Sequence, residues 1–91
     1  MMAAATSSAS GSRRVPLVVP DLGLAERGLS VSLWLVPEAA AVLAGDRVVE
    51  LVAGGVTIDL EAPVDGRLMV QLVEEDEPVA PGLVLAEFET A

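Results

Sequence analysis

The sequence predicts an all-β domain, and three features carry that prediction. Valine is heavily used across the chain, which favours extended over helical backbone. Apolar or alternating runs recur at roughly eight to twelve residues, each bounded by Gly or Pro turn signals, as in a sandwich or barrel. Two of those runs meet at Gly54-Gly55, a dipeptide that closes a two-residue hairpin. No stretch supplies a helix of useful length.

The hairpin fixes a register. A two-residue loop at Gly54 and Gly55 sets Ala53 against Val56, Leu51 against Ile58 and Val49 against Leu60, all apolar and all on one face. The other face pairs Val52 with Thr57, Glu50 with Asp59 and Val48 with Glu61. A slip of one residue would mix the two sets.

The remaining elements follow in order. Pro16–Val19 reads as a short edge strand, bounded by prolines as edges tolerate. Pro20–Gly23 is a turn, and residues 24–28 form a loop. Leu29–Leu33 alternates apolar and polar and continues through Val36 as a half-buried strand. Pro37–Ala41 has the composition of a helical turn but is too short to nucleate one alone. Gly45-Asp46 turns into the hairpin, Ala62-Pro63 ends it, and Asp65-Gly66 turns again. Leu68–Leu72 is a second alternating strand, Glu74–Pro78 an acidic loop, Pro81-Gly82 a turn and Leu83–Phe88 the last strand.

Composition narrows the chemistry. At 91 residues the chain holds one small domain. One Phe and one Trp oblige the core to be built from Val, Leu, Ile and Ala. With no cysteine and no histidine, disulfides, the usual zinc sites, thiol or imidazole nucleophiles and imidazole pH switches are excluded. A net charge of −9 disfavours nucleic acid and anionic membrane surfaces as partners. No apolar run approaches the roughly 18 residues that span a bilayer, and a cytoplasmic location is expected. Arg13, Arg14, Arg27, Arg47 and Arg67 account for all five basic residues, so the chain has no lysine.

Residues 1–14 are read as a disordered tail or linker and residues 15–90 as the domain. A twin-arginine export signal would need a longer apolar segment after Arg13-Arg14 than Val15–Val19 provides. A transit peptide would carry more arginine spread over a longer stretch.

The second half echoes the first at an offset of 37 (Leu72 minus Leu35). Leu35, Val36, Glu38, Val42, Gly45 and Glu50 recur as Leu72, Val73, Glu75, Val79, Gly82 and Glu87. Each copy is a unit that cannot cover its own apolar face, so two copies about an approximate two-fold axis would cover each other. The chain ends then lie together, and the Gly54-Gly55 turn projects at the opposite end, where a loop tip suits attachment or recognition.

The ordered motifs resemble a known family. Pro20-Asp21-Leu22-Gly23, then Trp34-Leu35-Val36 with Glu38, then Val42 with Gly45-Asp46, are similar to a lipoyl domain. So are Val49-Glu50-Leu51 and, past the turn, Thr57-Ile58-Asp59-Leu60 with Ala62-Pro63 and Gly66. The resemblance is nearest to lipoyl domains of 2-oxo acid dehydrogenase acyltransferase subunits, with biotin carrier domains second. It implies a flattened eight-stranded barrel-sandwich hybrid of two four-stranded sheets with quasi-two-fold symmetry. It also implies a lipoyl or biotinyl group on a tip lysine. Here Gly54 and Gly55 occupy the Asp and Lys positions of that tip, and no other lysine exists, so no cofactor is expected. The family's two Glu-Gly-Asp-like loops become Glu38-Ala39-Ala40 and Glu75-Asp76-Glu77.

Other candidate sites have plainer readings. Glu50 opposite Asp59 would suit acid–base work or a divalent ion, yet charged pairs are common on sheet exteriors. Glu74–Glu77 would suit a loose cation site or a basic partner, yet a solvated loop is the simpler account. Trp34 would suit ligand stacking, yet a lone Trp in an alternating strand more often belongs to the core or to partly covered surface. Gly23 and Gly28 lack the strand–glycine–helix context of a phosphate loop. The expected protein has no catalytic residue and no metal, and is not an enzyme. It acts as a binding or assembly module joined to a dehydrogenase or acyltransferase complex. The alternatives are a regulatory or spacer domain of a biotin-dependent carboxylase, or an efflux-adaptor-like connector.

Overall fold

The computed structural model of the chain describes residues 12–24 and 27–90. The expected tail therefore falls largely outside the described residues. Seven strands form among the described residues: β1 Arg14–Val18, β2 Ser30–Trp34, β3 Ala41–Val42, β4 Arg47–Ala53, β5 Val56–Glu61, β6 Gly66–Gln71 and β7 Val84–Thr90. They build two antiparallel sheets, ordered β1-β7-β6-β3 and β2-β4-β5. No α-helix occurs among the described residues. The first strand opens at Arg14, ahead of the expected Pro16, and β2 closes at Trp34, short of the expected Val36.

The repeat in the sequence is a repeat in the pairing. In one sheet Ser30 pairs with Val52, Val31 with Leu51, Leu33 with Glu50 and Trp34 with Val49. In the other, 37 positions on, Arg67 pairs with Glu89, Leu68 with Phe88, Val70 with Glu87 and Gln71 with Ala86. The register slips at the matching place in both, between Val31 and Leu33 and between Leu68 and Val70. The Ala41–Arg67 pair of β3 and β6 has its counterpart in an isolated bridge between Ser30 and Pro78. That bridge stands where the expected eighth strand would lie. Both bonds flanking the bridge form, the Val31 N–H donating to the Glu77 carbonyl at 3.1 Å and the Val79 N–H to the Leu29 carbonyl at 3.0 Å, but the pairing runs no further as a strand.

Four hydrogen bonds lock the halves across the axis. The Glu38 carboxylate accepts from the Gln71 N–H at 2.7 Å, and the Glu75 carboxylate accepts from the Trp34 N–H at 2.9 Å. The Gln71 side-chain amide donates to the Val36 carbonyl at 3.0 Å, and the Trp34 indole donates to the Val73 carbonyl at 2.9 Å. Each bond has its partner in the other half. Trp34 is thus half-buried and tied into the seam rather than offered as a stacking platform.

The loops beside these clamps are also matched. Ala39 and Asp76 both hold positive φ, 73° and 72°, and their N–H groups donate to the carbonyls of Leu68 and Val31, each at 2.7 Å. Pro37–Ala41 is therefore a reverse turn running into β3, not a helical turn. The bond to Leu68 is long-range, and it outweighs the local helix preference of the alanines.

The core lies between the sheets. Phe88, Leu51, Leu68 and Leu85 are its largest fully buried side chains, joined by Val31, Val48 and Val49. The hairpin pairs of Ala53 with Val56, Val52 with Thr57, Leu51 with Ile58, Glu50 with Asp59 and Val49 with Leu60 all form. The expected pairing of Val48 with Glu61 does not. A bulge between Arg47 and Val49 sets Arg47 against Glu61 and turns Val48 fully into the core. A bulge lets two consecutive residues, Val48 and Val49, both bury.

Close packing restricts Gly66 in β6. A Cβ there would overlap the Glu89 carbonyl oxygen and lie 2.9 Å from its carbon, both backbone atoms. Gly66→Ala should therefore lose about 1–3 kcal/mol in urea unfolding through overpacking. An unchanged midpoint would contradict this packing. Ala39→Gly should gain about 0.5–1 kcal/mol, because glycine relieves the left-handed backbone at a modest entropic cost. A destabilised Ala39→Gly variant would contradict the assigned turn.

Candidate functional site

The tip of the β4–β5 hairpin is the candidate site. Gly54 and Gly55 hold φ of 54° and 86°, the pair of positive values that a two-residue type I′ turn needs. Both residues are exposed, as are Val56 and Thr57 beyond them. The equivalent of this turn in the other half is where Arg13, just before β1, meets Thr90 at the end of β7. There Thr90 donates its N–H to the Arg13 carbonyl at 2.9 Å, and the Arg13 N–H donates to the Thr90 hydroxyl at 3.1 Å.

The two glycines have different surroundings. A Cβ on Gly55 would meet nothing within 4 Å. One on Gly54 would lie 3.3 Å from both Cβ and Cδ of Arg27. The aliphatic stem of Arg27 thus crosses the turn, positioned by its own N–H, which donates to the Leu24 carbonyl at 2.9 Å. Gly23 and Gly28 flank this loop with φ of 69° and 78°. They shape the approach of Arg27 and form no phosphate loop. Sequence reasoning missed Arg27 at the tip, because nothing local links it to a turn 27 positions away (Gly54 minus Arg27).

The tip is built from two glycines and the aliphatic stem of Arg27. It includes no side-chain amine, so it does not fit the attachment of a lipoyl or biotinyl group through a lysine amide.

The other candidate residues fall into structural roles. Glu50 and Asp59 do pair across the hairpin, but Asp59 also accepts from Arg47 at 3.2 Å. They border a shallow, open groove with Leu35, Val36, Gly45, Asp46 and Arg47. Two carboxylates of the acidic loop, those of Glu75 and Glu77, accept from backbone N–H groups. Glu75 accepts from Trp34, and Glu77 accepts from the Glu74 N–H at 3.0 Å. Among the described residues no group of three or more acidic side chains is arranged to hold a metal ion. Among them, too, no helix is long and apolar enough to cross a membrane.

Comparison with known proteins agrees with this geometry. The biotin/lipoyl family model, described as "biotin-requiring enzyme", matches residues 15–88. Among solved structures, a single-chain, multi-domain long-chain acyl-CoA carboxylase is similar, with a TM-score of 0.70 and 25% identity. The likeness covers 86% of this chain and 7% of that one, so the chain spans a small part of that enzyme's length. No curated protein sequence matches. With two matched antiparallel sheets, a projecting two-residue tip and a family match over most of its length, the chain belongs to the biotin/lipoyl family.

Proposed function

We propose that this domain keeps the carrier fold of its family and works without a covalent cofactor, as a non-catalytic binding or assembly module of an acyl-transfer system. One observation carries the reading: Gly54 and Gly55 fill the hairpin turn, and the chain contains no lysine. Acylation through an amide needs a side-chain amine at the tip, and a glycine turn has none. The residues that remain do structural work. Gly54 and Gly55 close the turn, the Arg27 stem lies over it, and the β4–β5 ladder carries it.

The partner system has two readings. Motif spacing favours a 2-oxo acid dehydrogenase or acyltransferase complex. The likeness to a multi-domain acyl-CoA carboxylase favours a regulatory or spacer role beside a biotin-dependent carboxylase. An efflux-adaptor-like connector is the weaker reading, since a two-residue turn leaves no room for a long hairpin extension at the tip.

Co-expression with a biotin ligase or a lipoate ligase, followed by intact-mass spectrometry, tests the proposal. The chain should gain neither group. The Gly54→Asp/Gly55→Lys double variant should fold and gain one. The lysine side chain introduced at the second turn position would point into open space, while the aspartate at the first would have to push aside only the flexible Arg27 stem. Two side chains at positive φ should cost about 1–2 kcal/mol each, less for the aspartate. Modification of the unaltered chain would overturn the proposal. A folded double variant refused by both ligases would show that recognition needs more than the tip lysine, and would point to the altered Glu38 and Glu75 loops.

A further inference from the structure

The two sheets each end on a long outer strand, and the two outer strands are chemically unequal. Strand β1 borders one sheet and β5 the other. They are equivalents under the two-fold, at an offset of 43 (Leu60 minus Leu17): Leu17 pairs with Ala86 as Leu60 pairs with Val49.

In β1 the backbone groups of Arg13 turn inward, since Thr90 donates its N–H to the Arg13 carbonyl. Alternation along the strand then turns those of Arg14 and Pro16 outward. Proline has no N–H, so this edge lacks a donor where a neighbouring strand would need one. In β5 the closing pair of the two-residue turn, Ala53 and Val56, exchanges hydrogen bonds. Thr57, Asp59 and Glu61 therefore turn their backbone groups outward, and Asp59 is the counterpart of Pro16. No backbone hydrogen bond among the described residues reaches the outward N–H groups of these three. One edge is closed by proline and the other is open.

The side chains of β5 say what kind of strand would fit. Asp59 and Glu61 lie on its outer face, and Ile58 and Leu60, half-buried, lie on its inner one. A second copy of this chain pairing antiparallel through β5 would bring these carboxylates against their own copies, which is unfavourable. A strand with Lys or Arg at alternate positions would place cations beside Asp59 and Glu61 and apolar residues beside Ile58 and Leu60. The net charge of −9 favours the same encounter. Arg47 offsets Asp59 in part, while Glu61 has no ion pair among the described residues.

We infer that the open edge of β5 is a strand-addition site for an extended, basic, alternating segment of a partner protein. The inference goes beyond the cofactor-free reading and does not depend on it.

Titrating the isotope-labelled protein with the peptide acetyl-Lys-Val-Lys-Val-Lys-Val-amide tests it. Saturable shifts and slowed exchange should appear at the amides of Thr57, Asp59 and Glu61. The Glu-Val counterpart should shift none of them. Asp59→Pro copies the arrangement at Pro16 and should weaken binding at least tenfold. Should that variant fail to fold, Asp59→Lys/Glu61→Lys keeps the backbone donors and should reverse the peptide preference. Three results would each overturn the inference: no shifts along β5, equal binding by Asp59→Pro or by the charge-reversed variant, or self-association of the protein through β5.

Discussion

The structure depends on an exchange of hydrogen bonds across an internal two-fold axis. Glu38 and Glu75 each reach out of one half to accept a backbone N–H of the other, from Gln71 and Trp34. Trp34 and Gln71 return the exchange through their own side chains, to the carbonyls of Val73 and Val36. Neither half could meet these demands alone. Each sheet also needs the other to cover its apolar face, where Leu51 and Val31 of one meet Phe88 and Leu68 of the other in a core with few aromatic residues. Directional bonds at the seam and non-directional burial beneath it select the same arrangement, as consistent sequences do.

That arrangement explains how the tip can change while the fold persists. The Gly54-Gly55 turn lies at the end of the β4–β5 ladder, and neither glycine takes part in the axial clamps. Its register is set by the strands and by the turn's positive φ values, not by what a tip side chain carries. A side chain here meets no rigid neighbour and costs only its positive φ. At Gly66, pressed against the Glu89 backbone, a side chain would clash. Constraint in this domain therefore concentrates at the seam and the sheet centre, and functional latitude at the tip and the outer edges.

Much of this was legible in the residues. Gly54-Gly55 fixed five of the six expected hairpin pairs, and the offset of 37 anticipated a two-fold that reaches down to matching bulges. What escaped has physical reasons. Strict alternation cannot register a bulge, although the adjacent valines at 48 and 49 were a trace of one. Pro37–Ala41 favours helix locally, and only the distant Leu68 carbonyl holds Ala39 in a left-handed turn. Glu38 and Glu75 were visible as a matched pair, but the N–H groups they accept from lie across the molecule. The Arg27 stem over Gly54 is likewise a tertiary contact with no sequence signal. The eighth strand, implied by resemblance, is reduced to the single bridge of Ser30 with Pro78.

A carrier fold with a bare tip would leave its chemistry to others and retain recognition. Intact-mass spectrometry of the chain isolated from its own cells tests this most directly. No residue of the sequence should carry a biotinyl or lipoyl mass. An added biotinyl or lipoyl mass, mapped to any residue of the chain, would contradict it.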